Sequence, residues 1–224
     1  PRSTLFPYTT LFRSGRGVRV EVAKTYDTAK TISAITLADP AVASSTGHGL
    51  ADGSIGYLTG VTGMANLDGQ AISVDAPATD SFSLEGIDSS AYAAFTAGTF
   101  VPVTAWSTLA RAASYSIGGG DANQLDTTVL LDEIAQNANG LLAAQNVSFG
   151  LKLEEVDDEA QKLVYAAALS QGYMVFRITT KNGARRIFRG QPSLFGEDVQ
   201  QGALGTGSFS VTVKGQVLRL AAVS

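Results

Sequence analysis

Few residues in the chain could do chemistry, since its 224 residues include one histidine and no cysteine. A serine hydrolase that depends on histidine would have to use His48, which stands between Gly47 and Gly49. A glycine-flanked histidine is typical of a turn, so we expect its ring to bond a backbone carbonyl and to take no catalytic or ligand-binding role. The lack of cysteine excludes disulfides and thiolate metal sites.

The densest acidic run lies at positions 154–159, where five of six residues carry carboxylates. A glycosidase needs two carboxylates that flank one cleft from opposite sides, and neighbours at a single helix start do not provide that arrangement. Carboxylates are favoured at a helix N-terminus because of its partial positive charge. We therefore interpret the run as the beginning of a helix.

Two other patterns are candidates for phosphate binding. The glycines at 118–120 lack the Gly-x-x-x-x-Gly-Lys-Ser/Thr spacing of a phosphate loop, and we expect a bulge or a strand end there. Arg185, Arg186 and Arg189 allow a nucleic-acid patch, but solvent-facing or subunit-contact positions on a strand are favoured. A formal net charge of −4 also argues against wrapping nucleic acid. The sequence therefore predicts no catalytic, cofactor-binding or metal-ligating residue, and no enzyme.

The elements that must position these residues are mainly β-strands. With 24 glycines and 6 prolines among alternating Ser, Thr, Val and Phe, the composition favours short strands and tight turns. No apolar run approaches the roughly 18 residues that a spanning helix needs, so we expect no integral membrane protein. A polar stretch at 121–140, with an apolar centre, predicts a long excursion loop or a hairpin. The predicted strands cover residues 18–22, 32–37, 56–58, 71–74, 81–84, 114–117 and 144–153.

One helix is predicted in the second half of the chain. Asp157 or Asp158 can cap its start, and Gln161 is placed as in a capping box. Gly172 is placed to end the helix at C′. The apolar positions recur at helical spacing, at Ala160, Leu163, Val164 and Ala167.

A hairpin is predicted to follow the helix, with strands at 173–180 and 184–190. The Asn-Gly pair between them is a strong signal for a tight turn, because glycine accepts positive φ without strain. A final strand pair is predicted at 208–214 and 216–220, broken at Gly215.

The sequence divides into three regions. Residues 4–14 resemble the translation of a common sequencing adapter, so we set residues 1–14 apart as an artefact of a metagenomic read. Residues 31–101 are poor in Lys and Arg and dense in Gly, Ser, Thr and Asp, which predicts a small inserted all-β module. Residues 15–30 and 102–224 then form the host domain.

An ordered set of motifs runs through the host domain. It comprises Ser-Tyr-Ser-Ile at 114–117, Leu-Asp-Thr-Thr at 125–128, the predicted helix, Phe-Arg-Ile at 176–178, Phe-Arg-Gly at 188–190, and Phe-Ser-Val-Thr-Val-Lys-Gly at 209–215. This order resembles that of the tail tube proteins of long-tailed bacteriophages. The resemblance implies a β-sandwich or barrel with one flanking α-helix, in homo-hexameric rings that stack into a tube.

The module carries a pattern of its own. It reads Asp-Pro-Ala-Val at 39–42, Gly-His-Gly-Leu-Ala-Asp-Gly at 47–53, Gly-Val-Thr-Gly-Met at 60–64 and Ser-Phe-Ser-Leu at 81–84. It resembles a small β module of phage structural proteins that is labelled as similar to the first catalytic cysteine half-domain of ubiquitin-activating enzymes. The likeness concerns the fold alone, because a chain without cysteine offers no ubiquitin chemistry.

The tail tube resemblance implies a structural virion protein of the phage tail, assembled in the bacterial host cytoplasm. DNA would pass through the lumen without specific binding, and no membrane would be involved. The implied partners are other copies of the chain and the tail tip, terminator and tape measure proteins. In tail tube proteins the Leu-Asp-Thr-Thr stretch leads into the loop that contacts adjacent rings. The predicted inter-subunit residues are therefore Leu125, Asp126, Thr127, Thr128, Val129, Leu130 and Leu131.

An alternative reading is a phage surface module for host or carbohydrate recognition. It predicts exposed aromatic side chains on the module, where the candidates are Tyr57, Tyr92 and Phe95. The self-assembling reading is favoured by the many short strands, because sheet edges pair with neighbouring chains unless they are blocked.

Overall fold

The computed structural model describes residues 17–129, 134–152, 158–201 and 204–222. Within these ranges the protein forms strands throughout and one α-helix. The strands are β1 (Arg19–Tyr26), β2 (Lys30–Ile32), β3 (Ala34–Ile35), β4 (Val42–Ser44), β5 (Ile55–Thr62), β6 (Ala71–Asp75), β7 (Ser81–Leu84), β8 (Ala97–Thr108), β9 (Ala112–Gly119), β10 (Ala122–Asp126), β11 (Asn137–Leu142), β12 (Gln145–Lys152), β13 (Met174–Thr179), β14 (Arg185–Pro192), β15 (Gly196–Asp198) and β16 (Thr206–Leu220). The helix α1 (Glu159–Leu169) lies between β12 and β13.

Most strands belong to one continuous sheet. Its order is β3-β4-β7-β6-β5-β8-β1-β13-β14-β16-β12-β9, with β2 beside β8 and β15 beside β16. The sheet curls into a half-barrel, so that β6 comes to lie against β14 and β16. Only β10 and β11 stand apart among the described strands, as a separate two-stranded sheet. This mainly β architecture with one helix confirms the predicted fold class.

The two faces of the sheet cover two hydrophobic cores. Alternate side chains of β14 divide between them, with Ile187 in the first core and Phe188 in the second. Helix α1 closes the second core with Ala160 and Val164, which are fully buried. The single helix is therefore held in place by its apolar face, as the helical spacing predicts.

The start of α1 confirms the predicted cap. The Asp158 carboxylate accepts hydrogen bonds from the backbone N–H groups of Ala160 (2.9 Å) and Gln161 (3.4 Å). Asp157, the other candidate, lies outside the described residues. The predicted C′ residue of α1 is off by one position. Gln171, and not Gly172, takes the left-handed C′ conformation, with φ 52°. Gly172 follows it and donates its N–H to the Ala167 carbonyl at 2.8 Å, as in a Schellman motif.

The last strands differ in one respect from their prediction. β13 and β14 form the predicted hairpin. The predicted break at Gly215 is wrong, because β16 runs through it as a single strand. Gly215 has φ +82°, and the register moves from Arg189↔Lys214 to Ile187↔Leu218. Three residues of β16 thus face one residue of β14, so glycine makes a bulge and does not end the strand.

The predicted inserted module is joined to the host domain by shared structure. β8 crosses the predicted boundary at residue 101, pairing with β5 on one part and with β1 on the other. The first core combines residues of the module with Val175, Leu218 and Leu220 of the host. The predicted strand at 32–37 forms two short strands, β2 and β3. The division into module and host stays a prediction.

Candidate functional site

The hairpin of β10 and β11 projects from the main sheet. The hairpin continues from the β9–β12 pair beyond its last residue pair, in which Gly119 lies opposite Gln145. Its own strands pair from Ala122↔Leu142 to Asp126↔Asn137. The described parts of the segment at 121–140 therefore pair as a hairpin, one of the two predicted forms. β9 ends at Gly119, as expected for the glycine run.

Large apolar side chains cover this hairpin and face solvent. Leu141 is 88% exposed, Ile134 75% and Leu142 74%. Leu125 and Val129, from the predicted inter-subunit set, are also exposed. Soluble proteins rarely expose several large apolar groups on one small element, and such clusters mark interaction sites. Leu130 and Leu131 belong to the same predicted set and lie outside the described residues.

The polar members of the predicted set shape the hairpin end. The Asp126 carboxylate accepts the backbone N–H of Thr128 at 2.9 Å, and hydrogen bonding to Thr128 lowers the pKa of Asp126. Thr127 donates its N–H to the Gln136 carbonyl at 2.9 Å, while the Thr128 hydroxyl accepts the N–H of Gln136 at 3.0 Å. These bonds tie the two sides together where regular pairing stops, so the apolar residues present a defined surface.

His48 has a structural place away from this hairpin. Its ring is buried, with Nε2 3.3 Å from the Ser81 carbonyl and Nδ1 accepting the N–H of Leu50 at 3.0 Å. Because Nδ1 accepts, the ring proton belongs on Nε2, which donates to Ser81. The ring also meets Phe82 edge-on at 5.2 Å between centroids. The prediction that His48 bonds a backbone carbonyl in a turn is confirmed.

The arginines of β14 do not lie where the sequence predicts. Arg185 and Arg186 are buried, so the expectation of solvent-facing positions is wrong for both. Arg185 reaches into the first core, where Nη2 lies 2.8 Å from Glu85 Oε2 and Nη1 lies 3.2 Å from the Ser73 hydroxyl. The curl of the sheet brings β6 and the residues after β7 over β14, which turns an apparently exposed position into an interior one.

Arg189, the third arginine of β14, is held between aromatic rings. Its guanidinium carbon lies 4.1 Å from the centroid of Tyr57 and 4.9 Å from that of Tyr173. Stacking on two rings favours a cation whose planar faces carry no hydrogen-bond donors. Tyr57 is thus engaged with Arg189, and Tyr92 and Phe95 are partly buried against the first core. The aromatic candidates of the recognition alternative therefore pack into the fold.

The described residues contain neither a metal site nor a candidate membrane helix. No group of three or more His, Asp or Glu side chains among them is arranged to hold a metal ion. The helix of the described part is too short and too polar to cross a bilayer.

Comparison with known proteins gives one family. The family described as "Phage tail tube protein, TTP" matches residues 62–222. The chain belongs to the phage tail tube protein family. The match begins at the last residue of β5 and continues through both cores, the exposed hairpin, α1 and β16. A comparison with curated proteins finds no match.

Membership of the tail tube family places the chain among structural proteins of the virion tail. The motifs that carried the resemblance lie on β9, β10, α1, β13, β14 and β16, and all but the one on β10 lie around the second core. The hairpin was predictable from the sequence, but its most exposed leucine pair, Leu141 and Leu142, was not among the predicted inter-subunit residues. The signal for these leucines was the Gly-Leu-Leu-Ala-Ala run at 140–144. A half-buried strand would alternate apolar and polar residues, and this run does not.

Proposed function

We propose that the chain assembles into homo-hexameric rings that stack into a tube through which DNA passes without specific binding. The observation that carries this proposal is the projecting β10–β11 hairpin with its exposed apolar side chains. Family membership supports the tube, and the hairpin supplies a surface by which one copy contacts the next. Two of the predicted inter-subunit residues, Leu125 and Val129, are among these exposed apolar side chains.

Physical reasons favour a protein partner for the hairpin. Fully burying a leucine stabilises a complex by about 1.5–3 kcal/mol, and several such side chains face water in the free subunit. A two-stranded hairpin is also only marginally stable in water, whereas packing against a second copy stabilises it. Because identical copies carry identical hairpins, the contact repeats around a ring and between rings.

The free edge of the main sheet supports the same proposal. β9 is the last strand in the sheet order, and among the described residues it pairs on one side only, with β12. An unpaired edge of this length is a template for a strand from another chain. The net charge of −4 suits a channel that DNA must traverse without sticking, because phosphate binding needs clustered cations. Tail tip, terminator and tape measure proteins are the further partners, and assembly takes place in the bacterial host cytoplasm.

Negative-stain electron microscopy and sedimentation of the purified chain test the proposal. We expect rings or tubes from the parent chain and a folded monomer from the Leu141→Ser/Leu142→Ser double variant. The matched control is Leu37→Ser, which changes an exposed leucine in the predicted module. A parent chain that stays monomeric at all concentrations would refute the proposal. Normal tubes from the double variant would instead exclude these leucines from the contact.

A further inference from the structure

Two arginines face each other across neighbouring strands without a carboxylate between them. Arg186 of β14 lies directly opposite Arg219 of β16, with Ile178 of β13 on its other side. Arg186 is only 8% exposed, and its Nη1 is buried without a hydrogen-bond partner. Among the described residues, no ion pair or hydrogen bond involves the side chain of either arginine.

This arrangement is unfavourable in a free subunit. Like charges directly opposite each other on a sheet repel. A buried donor without an acceptor also loses its hydrogen bonds to water, and no protein hydrogen bond replaces them. A guanidinium cannot relieve the cost by losing its proton. The neighbouring Arg185 shows the usual solution, because its guanidinium meets the Glu85 carboxylate. The Arg186–Arg219 pair lacks such an anion.

The pair lies near the base of the exposed hairpin. Ile178 belongs to the second core, so the row of Ile178, Arg186 and Arg219 points to that face of the sheet. Two residues before Arg219, the N–H of Val217 donates to Gln145 Oε1 at 2.8 Å. Gln145 begins β12 directly after the hairpin returns to the main sheet. A partner that covers the hairpin is therefore brought towards the two arginines.

We propose that Arg186 and Arg219 form a binding site for a carboxylate of a second copy of this chain. This inference rests on the proposed self-assembly, in which the site would be an electrostatic contact between two copies. A second copy is the favoured source because the chain is acidic, with a net charge of −4, and the site adjoins its contact hairpin. Arginines at paired strand positions can each donate charge-assisted hydrogen bonds to a carboxylate, which has two oxygens to accept them.

The first test separates assembly from folding. Arg186→Met removes a buried charge that has no partner in the free subunit, so the thermal midpoint of the monomer stays unchanged or rises. The same change weakens assembly, and we expect the protein concentration needed for tubes to rise by about tenfold or more. The matched control is Arg185→Met, which breaks an internal ion pair and lowers the monomer midpoint. A lowered midpoint for Arg186→Met with unchanged assembly would overturn the proposal.

The second test does not depend on assembly. Acetate serves as a carboxylate probe, compared with chloride at equal ionic strength. We expect acetate to raise the thermal midpoint of the parent more than that of Arg186→Met, because a ligand of the folded state stabilises it. Equal responses of the parent and Arg186→Met to acetate would refute the site. A monomeric parent would contradict the proposed function alone, and the acetate comparison would then decide the site.

Discussion

The side chain of Gln70 takes the place of a strand partner for the backbone of Gln216. Its Oε1 accepts the Gln216 N–H at 2.8 Å, and its Nε2 donates to the Gln216 carbonyl at 2.9 Å. Gln70 is only 2% exposed and stands just before β6, whereas Gln216 lies in the bulge of β16. One buried amide thus satisfies a backbone left unpaired by the bulge and joins the predicted module to the host domain.

Truncating Gln70 tests the importance of this joint. Gln70→Ala leaves both backbone groups of Gln216 without their partner, and we expect a loss of about 1–3 kcal/mol in the free energy of unfolding. The control is Gln216→Ala, which keeps the same backbone groups and should change stability by less than about 0.5 kcal/mol. Urea denaturation measures both. Equal losses in the two variants would contradict the role given to the Gln70 amide.

A second prediction concerns the glycine that makes the bulge. Gly215 has φ +82°, and a Cβ there would collide with the side-chain oxygen of Gln70. We expect Gly215→Ala to lower the free energy of unfolding by more than about 1–2 kcal/mol, which is the penalty for the left-handed conformation of alanine alone. Gly118→Ala is the control, since no atom lies within 4 Å of its Cβ position and its φ is ordinary. Thermal unfolding that is unchanged by Gly215→Ala would show that the bulge can relax.

Sequence patterns predicted the elements whose signals are local. The Asn-Gly turn, the Asp158 cap, the helical spacing of α1 and the alternation in β1 all involve neighbours within a few residues. Only part of the surroundings of His48 is local: its Nδ1 accepts the N–H of Leu50 two positions on, whereas the Ser81 carbonyl is 33 positions away. The hairpin followed from its length and its apolar centre.

Features that depend on distant partners were not predictable. Gln70 and Gln216 are 146 positions apart, and Arg185 and Glu85 are 100 apart. The arginines of the predicted hairpin indicated solvent-facing positions, and only the curl of the sheet, which lays β6 against β14, turns the position of Arg185 into an interior one. The long separation of Gln70 from β16 also explains why the strand break predicted at Gly215 is wrong. The bulge there is stabilised by the Gln70 side chain, which no local pattern reveals.

A third prediction concerns pH and the contact between Asp68 and Lys214. Burial alone would raise the pKa of Asp68, but hydrogen bonds from Lys214 (3.2 Å) and the N–H of Val61 (3.3 Å) outweigh it and lower the pKa. A lowered folded-state pKa contributes stability above the unfolded value of about 3.9 and loses it as pH falls through the folded value.

Asp68→Asn should therefore be less stable than the parent near neutral pH, and the difference should shrink below about pH 4. Urea denaturation of both chains between neutral and acidic pH measures this difference. Asp27 and Asp88 also have lowered pKa values, through hydrogen bonds from Thr28 and Ser90, but both chains share them and their effect cancels. A difference that does not vary with pH would contradict an ionised Asp68 as the stabilising group.

The last prediction concerns the ion pair of Arg185 and Glu85, whose partners differ in exposure. The Arg185 side chain is 8% exposed and that of Glu85 is 23% exposed. Removing Glu85 leaves a buried guanidinium with only Ser73 and the Ala221 carbonyl as partners. Removing Arg185 leaves a carboxylate that water can reach. The two single variants should therefore differ, although they break the same pair.

We expect Glu85→Ala to lower the free energy of unfolding by about 3 kcal/mol, as is typical when a buried charge loses its counter-ion. Arg185→Met should cost less, about 1–2 kcal/mol, because the remaining carboxylate keeps part of its hydration and the methionine fills the apolar space. The double variant should then be no less stable than Glu85→Ala, since it contains no unpaired buried cation. Urea denaturation of the four chains completes the cycle. If the two single losses simply add in the double variant, Arg185 and Glu85 act independently, and the pair is not what fastens the residues after β7 to β14.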